Sequence, residues 1–430
     1  TDSTYIPCAG GWFDAGDIRK WMSQTLGHLE ALSQIALYAH PAFREASLAE
    51  IAWGNKYFHA MINEKGQVYE DVGAGSLRND VKYEEGWWCE NHAGCGAKGT
   101  SYTDNIPETG DERTIRTTYN PAVQFLFIRA QSLVSRVLQP ADAFKCRVLA
   151  EKAWLYSVNH PHDNRTLFVA LQLEAILELY NAGSKLVCIE DIMRCARLLM
   201  NRQDNGTIGL SHYFTEINGD GYRSVVWSME PIEALLKLIE TKAEITIELR
   251  DSAIQCVRNF FDNYLLKDAE SNPFGITPWG IISNPEKEAM KLETYRDAGR
   301  GKFIRTFIQI FNSQRMPHGG NATLQQHTLA LIHAGRLLNE PRYIDHAERL
   351  IQWSTGYNPY SLCLFQGVGF RHPVQASFMN YMIPDAALNG FIGNLDDTPY
   401  IETSNAIDWN TQEVWGVPFY HLIMAISYIF

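Results

Sequence analysis

Apolar residues return every three or four positions through most of this chain. Leu26, Leu29 and Leu32, followed by Ile35 and Ala36, set one helical stripe, and Ala52, Trp53, Tyr57 and Phe58 carry another through Ile51–Met61. After a long polar stretch the same period resumes. It predicts helices at Ala122–Val137, Ala141–Ser157, Arg165–Tyr180, Cys188–Met200, Met229–Thr241 and Ile245–Tyr264. Further helices are expected at Glu286–Arg296, Lys302–Asn312, Ala322–Leu338, Tyr343–Thr355 and Glu413–Phe430. Gly183, just past Tyr180, fits a C-cap. No convincing pair of strands is visible. Helices in tandem hairpins point to an all-α toroid, in which the loops at one end form a cleft. Without a fixed-period repeat or a low-complexity linker, residues 1–430 are expected to form a single domain.

The polar interruptions are long. The stretch from about Asn63 to Thr118 is rich in Gly, Asp, Glu and Asn, a length uncommon in loops without a function. Trp87 and Trp88 stand in its middle and are candidate platforms for stacking a ligand. Cys89 and Cys95 bracket His92, which leaves a disulfide, a metal clip or free thiols open. The acid-rich run Thr103–Arg113 could hold a structural calcium through oxygen ligands, although it lacks EF-hand spacing.

Composition narrows the partners. A net charge of −12 opposes binding to nucleic acid or an anionic membrane, which need a basic surface. No apolar run reaches the roughly 18 residues of a membrane span. The start, Thr1-Asp2-Ser3-Thr4, has no signal-peptide pattern and reads like a mature or trimmed terminus. Of the eight cysteines, Cys146, Cys188, Cys195, Cys256 and Cys363 sit among apolar or helical residues and are expected to be buried thiols.

The densest chemistry near the start is Gly10-Gly11-Trp12-Phe13-Asp14-Ala15-Gly16-Asp17. Two carboxylates three residues apart in a Gly-rich turn can hold a water, a metal or a sugar hydroxyl. Trp12 and Phe13 suit a flat, partly apolar partner such as a sugar ring. The competing reading is a surface turn in which Asp17 caps a helix starting near Ile18. The last third carries a second constellation. It runs from His318-Gly319-Gly320-Asn321 through Gly356-Tyr357-Asn358-Pro359 and Gly367-Val368-Gly369-Phe370-Arg371-His372-Pro373 to Glu402-Thr403-Ser404-Asn405-Ala406-Ile407-Asp408-Trp409-Asn410.

Taken in order, these elements resemble glycoside hydrolase family 9, the cellulase-rich family of β-glycosidases. The opening stretch resembles that family's base motif, and Asn272-Pro273-Phe274-Gly275 its Asn-Pro-Tyr-Gly element. Gly356-Tyr357-Asn358-Pro359 resembles its Gly-x-Asn-Pro, and Ala406-Ile407-Asp408-Trp409-Asn410 the segment after its catalytic acid. The resemblance implies an all-α (α/α)6 barrel, a six-hairpin toroid, acting on a β-linked oligo- or polysaccharide with inversion. It implies Asp17 as general base, with Asp14 helping to hold the water. No cofactor is required, and a secreted or periplasmic location is favoured.

Two departures stand out. Where the family has its general acid, this chain has Ser404, and Glu402 is the nearest carboxylate and the candidate acid. Such an acid needs partial burial or a carboxylate neighbour to keep its proton near neutral pH. Glu413 and Asp408 are the other candidates, Asp408 being expected to cap or orient the last helix and Glu413 to lie in its first turn. The family's Pro-His-His-Arg element appears only as Arg371-His372-Pro373, with its order changed. Arg371 and His372 are expected to bind sugar hydroxyls, the alternative for Arg371 being a structural ion pair. His318 lines the cleft or is structural. The alternative to hydrolysis is a catalytically impaired carbohydrate-binding member of the same fold.

Overall fold

The computed structural model describes residues 6–16, 19–73, 114–289, 294–309, 318–377, 382–404 and 406–429. The chain groups into two compact units, Thr1–Pro161 with Ser377–Met382, and His162–Ala376 with Ile383–Phe430.

In the first unit, helix Met22–Tyr38 packs on Arg44–Ala60 and on Pro121–Val134, and Pro121–Val134 packs on Pro140–Asn159. The helices are of two kinds. Every residue from Ala122 to Ser132 is buried, so Pro121–Val134 has no solvent face. In Pro140–Asn159 only Cys146, Ala150, Ala153, Trp154 and Ser157 are buried, a single stripe at helical spacing. The second unit repeats this contrast. Asn321 to Gly335 are buried throughout helix Asn321–Leu337, whereas Ile189–Met200 buries only Ile192, Cys195, Ala196 and Leu199. Thr166–Asn181 packs on Ile189–Met200 and Glu230–Glu240, and Glu230–Glu240 packs on Ile247–Phe260. Asn321–Leu337 packs on Glu230–Glu240, Pro341–Ser354 and Gly416–Ser427.

Apolar contact alone does not fix the register of such buried helices, and three of the packed pairs carry a polar stitch. Arg129 donates to both carboxylate oxygens of Glu30, at 2.9 and 2.8 Å. Lys237 reaches Glu174 at 2.5 Å, and His333 Nδ1 lies 3.0 Å from Glu233. A buried pair adds little net stability, but breaking one leaves an uncompensated charge, so these pairs favour one helix register.

The expected boundaries hold to within a few residues for most helices, because caps mark them. Gly183 has φ +79°, and Ser184 N–H closes on Leu179 C=O at 3.0 Å, a left-handed helix end. Cys188 differs from expectation. It is exposed, because it is the N-cap of Ile189–Met200 and forms a capping box with Asp191.

One expected helix, Lys302–Asn312, gives way to strand at its start, and another is shortened. Lys302–Arg305 pairs antiparallel with Gly280–Ser283 on one side and Arg296–Gly299 on the other, and Glu286–Arg296 shortens to a helix over Asn284–Ala289. Gly299, Arg300 and Gly301 all have positive φ, which turns the chain into a hairpin and excludes a helix there. Arg305, wholly buried, bonds the carbonyls of Thr294, Leu395 and Asn394, partners that no local pattern announces. A second small sheet, Lys20–Trp21, Asp71–Gly73 and Thr114–Arg116, lies in the first unit.

Candidate active site

The opening motif is built on its glycines. Gly10 and Gly11 have φ +85° and +69°. A Cβ on Gly11 would lie 2.7 Å from the Tyr57 ring, and one on Gly10 would meet the Trp53 carbonyl. The turn therefore lies directly on helix Arg44–Ala60, and only glycine fits. Lys20 Nζ donates to Gly10 C=O at 2.6 Å, and Tyr57 Oη donates to Lys20 C=O at 2.7 Å.

Asp14 is 3 % exposed and closes the loop that follows. Its N–H donates to Arg19 C=O at 3.2 Å, and its Oδ1 accepts the Trp21 N–H at 3.3 Å. The chain between Asp14 and Arg19 carries Asp17, which lies outside the described residues. Helix Met22–Tyr38 starts after Trp21, its N-cap, later than the start near Ile18 that the sequence suggests.

The strand after the loop is held by buried charge. Arg19 and Asp71 are both fully buried, and Asp71 sits opposite Trp21 in the sheet. The Trp21 ring has the Arg19 guanidinium 5.2 Å from its centroid and that of Arg116 at 4.8 Å. Arg116 reaches Asp71 at 3.2 Å and Glu70 at 2.9 Å. A Cβ on Gly73 would stand 2.8 Å from Arg19 Nε, so glycine makes room for the guanidinium. Burial pushes the Asp71 carboxyl up to about 7, with Arg116 and Arg19 opposing that rise. Sequence reasoning missed Asp71, because a lone acid in a polar stretch gives no periodic signal.

The rings of the turn divide their roles. Trp12 packs inward, with its ring 5.6 Å from His28 and 6.1 Å from Phe58, against the backbone of Gly54. Phe13 is the open ring, 51 % exposed, with Lys20 Nζ 5.7 Å from its centroid. Trp87, Trp88, Cys89, His92, Cys95 and the Thr103–Arg113 run lie outside the described residues.

In the second unit Glu402 is half-buried, and its carboxylate is occupied locally. Oε1 accepts the Ser404 N–H at 2.6 Å, and Oε2 accepts the Tyr400 hydroxyl at 3.0 Å. The backbone and side chain of Ser404, followed by Tyr400, hold this carboxyl below the usual glutamate range. That is the opposite of the raised pKa expected of a general acid. Asp408 is the N-cap of the short helix Trp409–Gln412, accepting from Asn410 N–H at 3.1 Å and the Thr411 hydroxyl at 2.8 Å. Glu413 is 3 % exposed and precedes the last helix, Gly416–Ser427, instead of lying in its first turn.

His318 and Glu413 come together. His318 Nδ1 lies 3.9 Å from Glu413 Oε2, and Asn389 Nδ2 is 3.3 Å from that nitrogen and 3.4 Å from Glu413 Oε2. The His318 ring stacks on Trp415 at 4.3 Å, and burial pushes its pKa down to about 4, so it is neutral near pH 7. Arg371 is exposed, and its carbonyl accepts from Cys363 N–H at 2.9 Å. His372 is half-buried, and its Nδ1 has no partner among the described residues. Neither side chain bonds Glu402 or His318 among the described residues. The motif asparagines organise loops: Asn272 Oδ1 accepts from Phe274 and Gly275, and Asn358 Oδ1 from Tyr360 and Leu362.

Among the described residues no group of three or more His, Cys, Asp and Glu side chains is placed to hold a metal. No helix there is long and apolar enough to cross a membrane.

Comparison with known proteins places this geometry. No curated protein sequence matches the chain. Solved structures do. A metagenome-derived glycoside hydrolase family 9 endoglucanase aligns with a TM-score of 0.66 at 15% identity, covering 99% of this chain and 71% of its own. A single-mutant thermostable endoglucanase from Alicyclobacillus acidocaldarius gives 0.62 at 18%, covering 98% and 75%. The cellulase Cel9M of C. cellulolyticum gives 0.58 at 15%, covering 98% and 88%. At such identities these likenesses speak for the fold. The family model for glycosyl hydrolase family 9 matches residues 1–386, most of the chain. The chain therefore belongs to glycosyl hydrolase family 9, the (α/α)6-barrel glycoside hydrolases that act on β-glycans.

Proposed function

We propose that this protein hydrolyses a β-linked glycan in a single inverting step, with Asp17 as general base and Glu402 as general acid. The observation that carries the reading is the loop closed by Asp14, which spends its own carboxylate on the Trp21 N–H in the segment holding Asp17. Asp17 takes a proton from a water that attacks the anomeric carbon. Glu402 gives a proton to the leaving oxygen on the opposite face. Inversion needs the two carboxyls roughly 6.5–9.5 Å apart, to admit that water. Asp14 serves as the clamp of the base loop.

The substrate class is a neutral β-glucan. A related endoglucanase, CelQ from Clostridium thermocellum, is complexed with cellobiose and cellotriose, which supports short β-glucan segments as ligands. Arg371 and His372 would contact hydroxyls of the bound chain, Arg371 being exposed and free of a structural acid among the described residues.

One observation favours a second reading, a carbohydrate-binding member with impaired catalysis. Glu402 is held as its anion by Ser404 and Tyr400, and the family's acid position is a serine. Turnover of a β-glucan panel by wild type, Asp17→Asn and Glu402→Gln separates the two. Hydrolysis predicts that Asp17→Asn lowers kcat by about 10²–10⁴-fold while ligand binding persists. Binding without turnover in all three proteins would select the second reading.

A further inference from the structure

We propose that the first unit carries a second glycan-binding site, an open groove between the Asn63–Gln67 turn and the end of helix Pro140–Asn159. The groove encloses about 650 Å³, within the range of small-ligand sites, and its wall includes Leu155, Tyr156, Asn159 and His160. The family reading above supplies the identity of the glycan, a β-glucan; the groove itself argues for a neutral sugar chain.

The groove wall is tied together by hydrogen bonds. Asn63 Oδ1 accepts the N–H groups of Lys65 and Gln67, both at 3.0 Å. The buried amide of Gln124 donates to Gly66 C=O at 2.7 Å and Ala153 C=O at 2.8 Å, and accepts Val68 N–H at 3.0 Å. One side chain thus ties the turn to the helix. Gly66, at φ +95°, lies so close to the Lys152 carbonyl that no Cβ would fit. A ligand would enter a preformed wall and pay little ordering cost.

The wall chemistry matches a sugar ring. His160 is exposed and stacks on Tyr156 with centroids 3.7 Å apart and planes within 7°. Tyr119 packs edge-on against Tyr156 at 5.5 Å, and its hydroxyl donates to His160 C=O at 3.3 Å. His160 Nδ1 lies 2.8 Å from Tyr156 C=O, and a carbonyl only accepts, so Nδ1 holds the proton. Nε2 is then the ring nitrogen left to meet a ligand. Asn159 donates its Nδ2 to Leu155 C=O at 2.8 Å and keeps Oδ1 for a ligand. Leu155 is 51% exposed beside them. Glu64 and Lys65, both exposed, cancel in charge and add one acceptor and one donor. A flat aromatic face, an apolar neighbour and a rim of hydroxyl partners without net charge select a polyhydroxylated, uncharged ligand over a phosphate or a carboxylate.

The test pairs binding with turnover in the intact chain. Wild type, His160→Ala and Leu155→Glu are run through native gels containing a soluble mixed-linkage β-glucan, and their rates on cellotetraose are measured. Unchanged thermal midpoints confirm that both variants fold; Leu155→Glu leaves the His160–Tyr156 stack untouched. The proposal predicts about tenfold weaker retention for each variant, with wild-type rates on cellotetraose. Unchanged retention in both folded variants overturns the groove and leaves the hydrolase reading intact. Parallel loss of retention and rate overturns it as a separate site. A wild type that is retained but hydrolyses nothing, with retention lost in the variants, sustains the groove and overturns the hydrolytic reading.

Discussion

At the scale of single residues, the reaction turns on which carboxyls hold protons. In the proposed reaction Asp17 is the carboxylate that activates water, while Asp14 Oδ1 accepts the Trp21 N–H. Glu402 faces the reverse problem. Two donors, Ser404 N–H and Tyr400 Oη, stabilise its charged form. An acid held below the ordinary range is rarely protonated at neutral pH, so turnover of an unactivated glycan should rise as pH falls from 7 towards 5. Glu402→Gln should remove that rise and slow the unactivated substrate by about 10²–10⁴-fold. An aryl glycoside, whose leaving group needs no proton, should be slowed far less. Equal losses on both substrates would take Glu402 out of the proton-donor role.

At the scale of elements, the small sheet beside the base loop carries a titratable core. Asp71 is buried between Arg116 and the Trp21 strand, and burial pushes its carboxyl up to about 7. The folded protein thus keeps a proton that the unfolded chain releases near pH 4. Stability from this group is full below that value and is lost as pH rises through about 7. Asp71→Asn keeps the neutral form and should flatten the stability curve between pH 4 and 7, read by urea unfolding at each pH. An unchanged slope would show that Asp71 is not the group responsible. This sheet was illegible in the sequence for a physical reason. Its strands are two or three residues long, too short for a two-residue alternation to register, and Arg116 is far along the chain from Trp21. The helices were legible because their stripes and caps are local. The Lys302–Arg305 strand was misread as helix because Phe303 and Ile304 fit either period, and the deciding partners lie elsewhere in the chain.

At the scale of the whole molecule, the family and its all-α barrel could be read from the order of short motifs, and the family match over residues 1–386 bears this out. The structure adds what several of those motifs do. Asn272, Asn358 and Asp408 tie loops to their own backbone, so they mark the frame of a site more than its chemistry. The pairing of His318 with Glu413 was not visible, since 95 positions of sequence separate side chains that lie 3.9 Å apart. The central claim concerns stereochemistry, because a base opposite an acid forces inversion at the anomeric carbon. Proton NMR of the first product released from a soluble β-glucan, recorded before mutarotation, reads this directly. The account predicts that the new reducing end appears first as the α-anomer. Initial release of the β-anomer would contradict it.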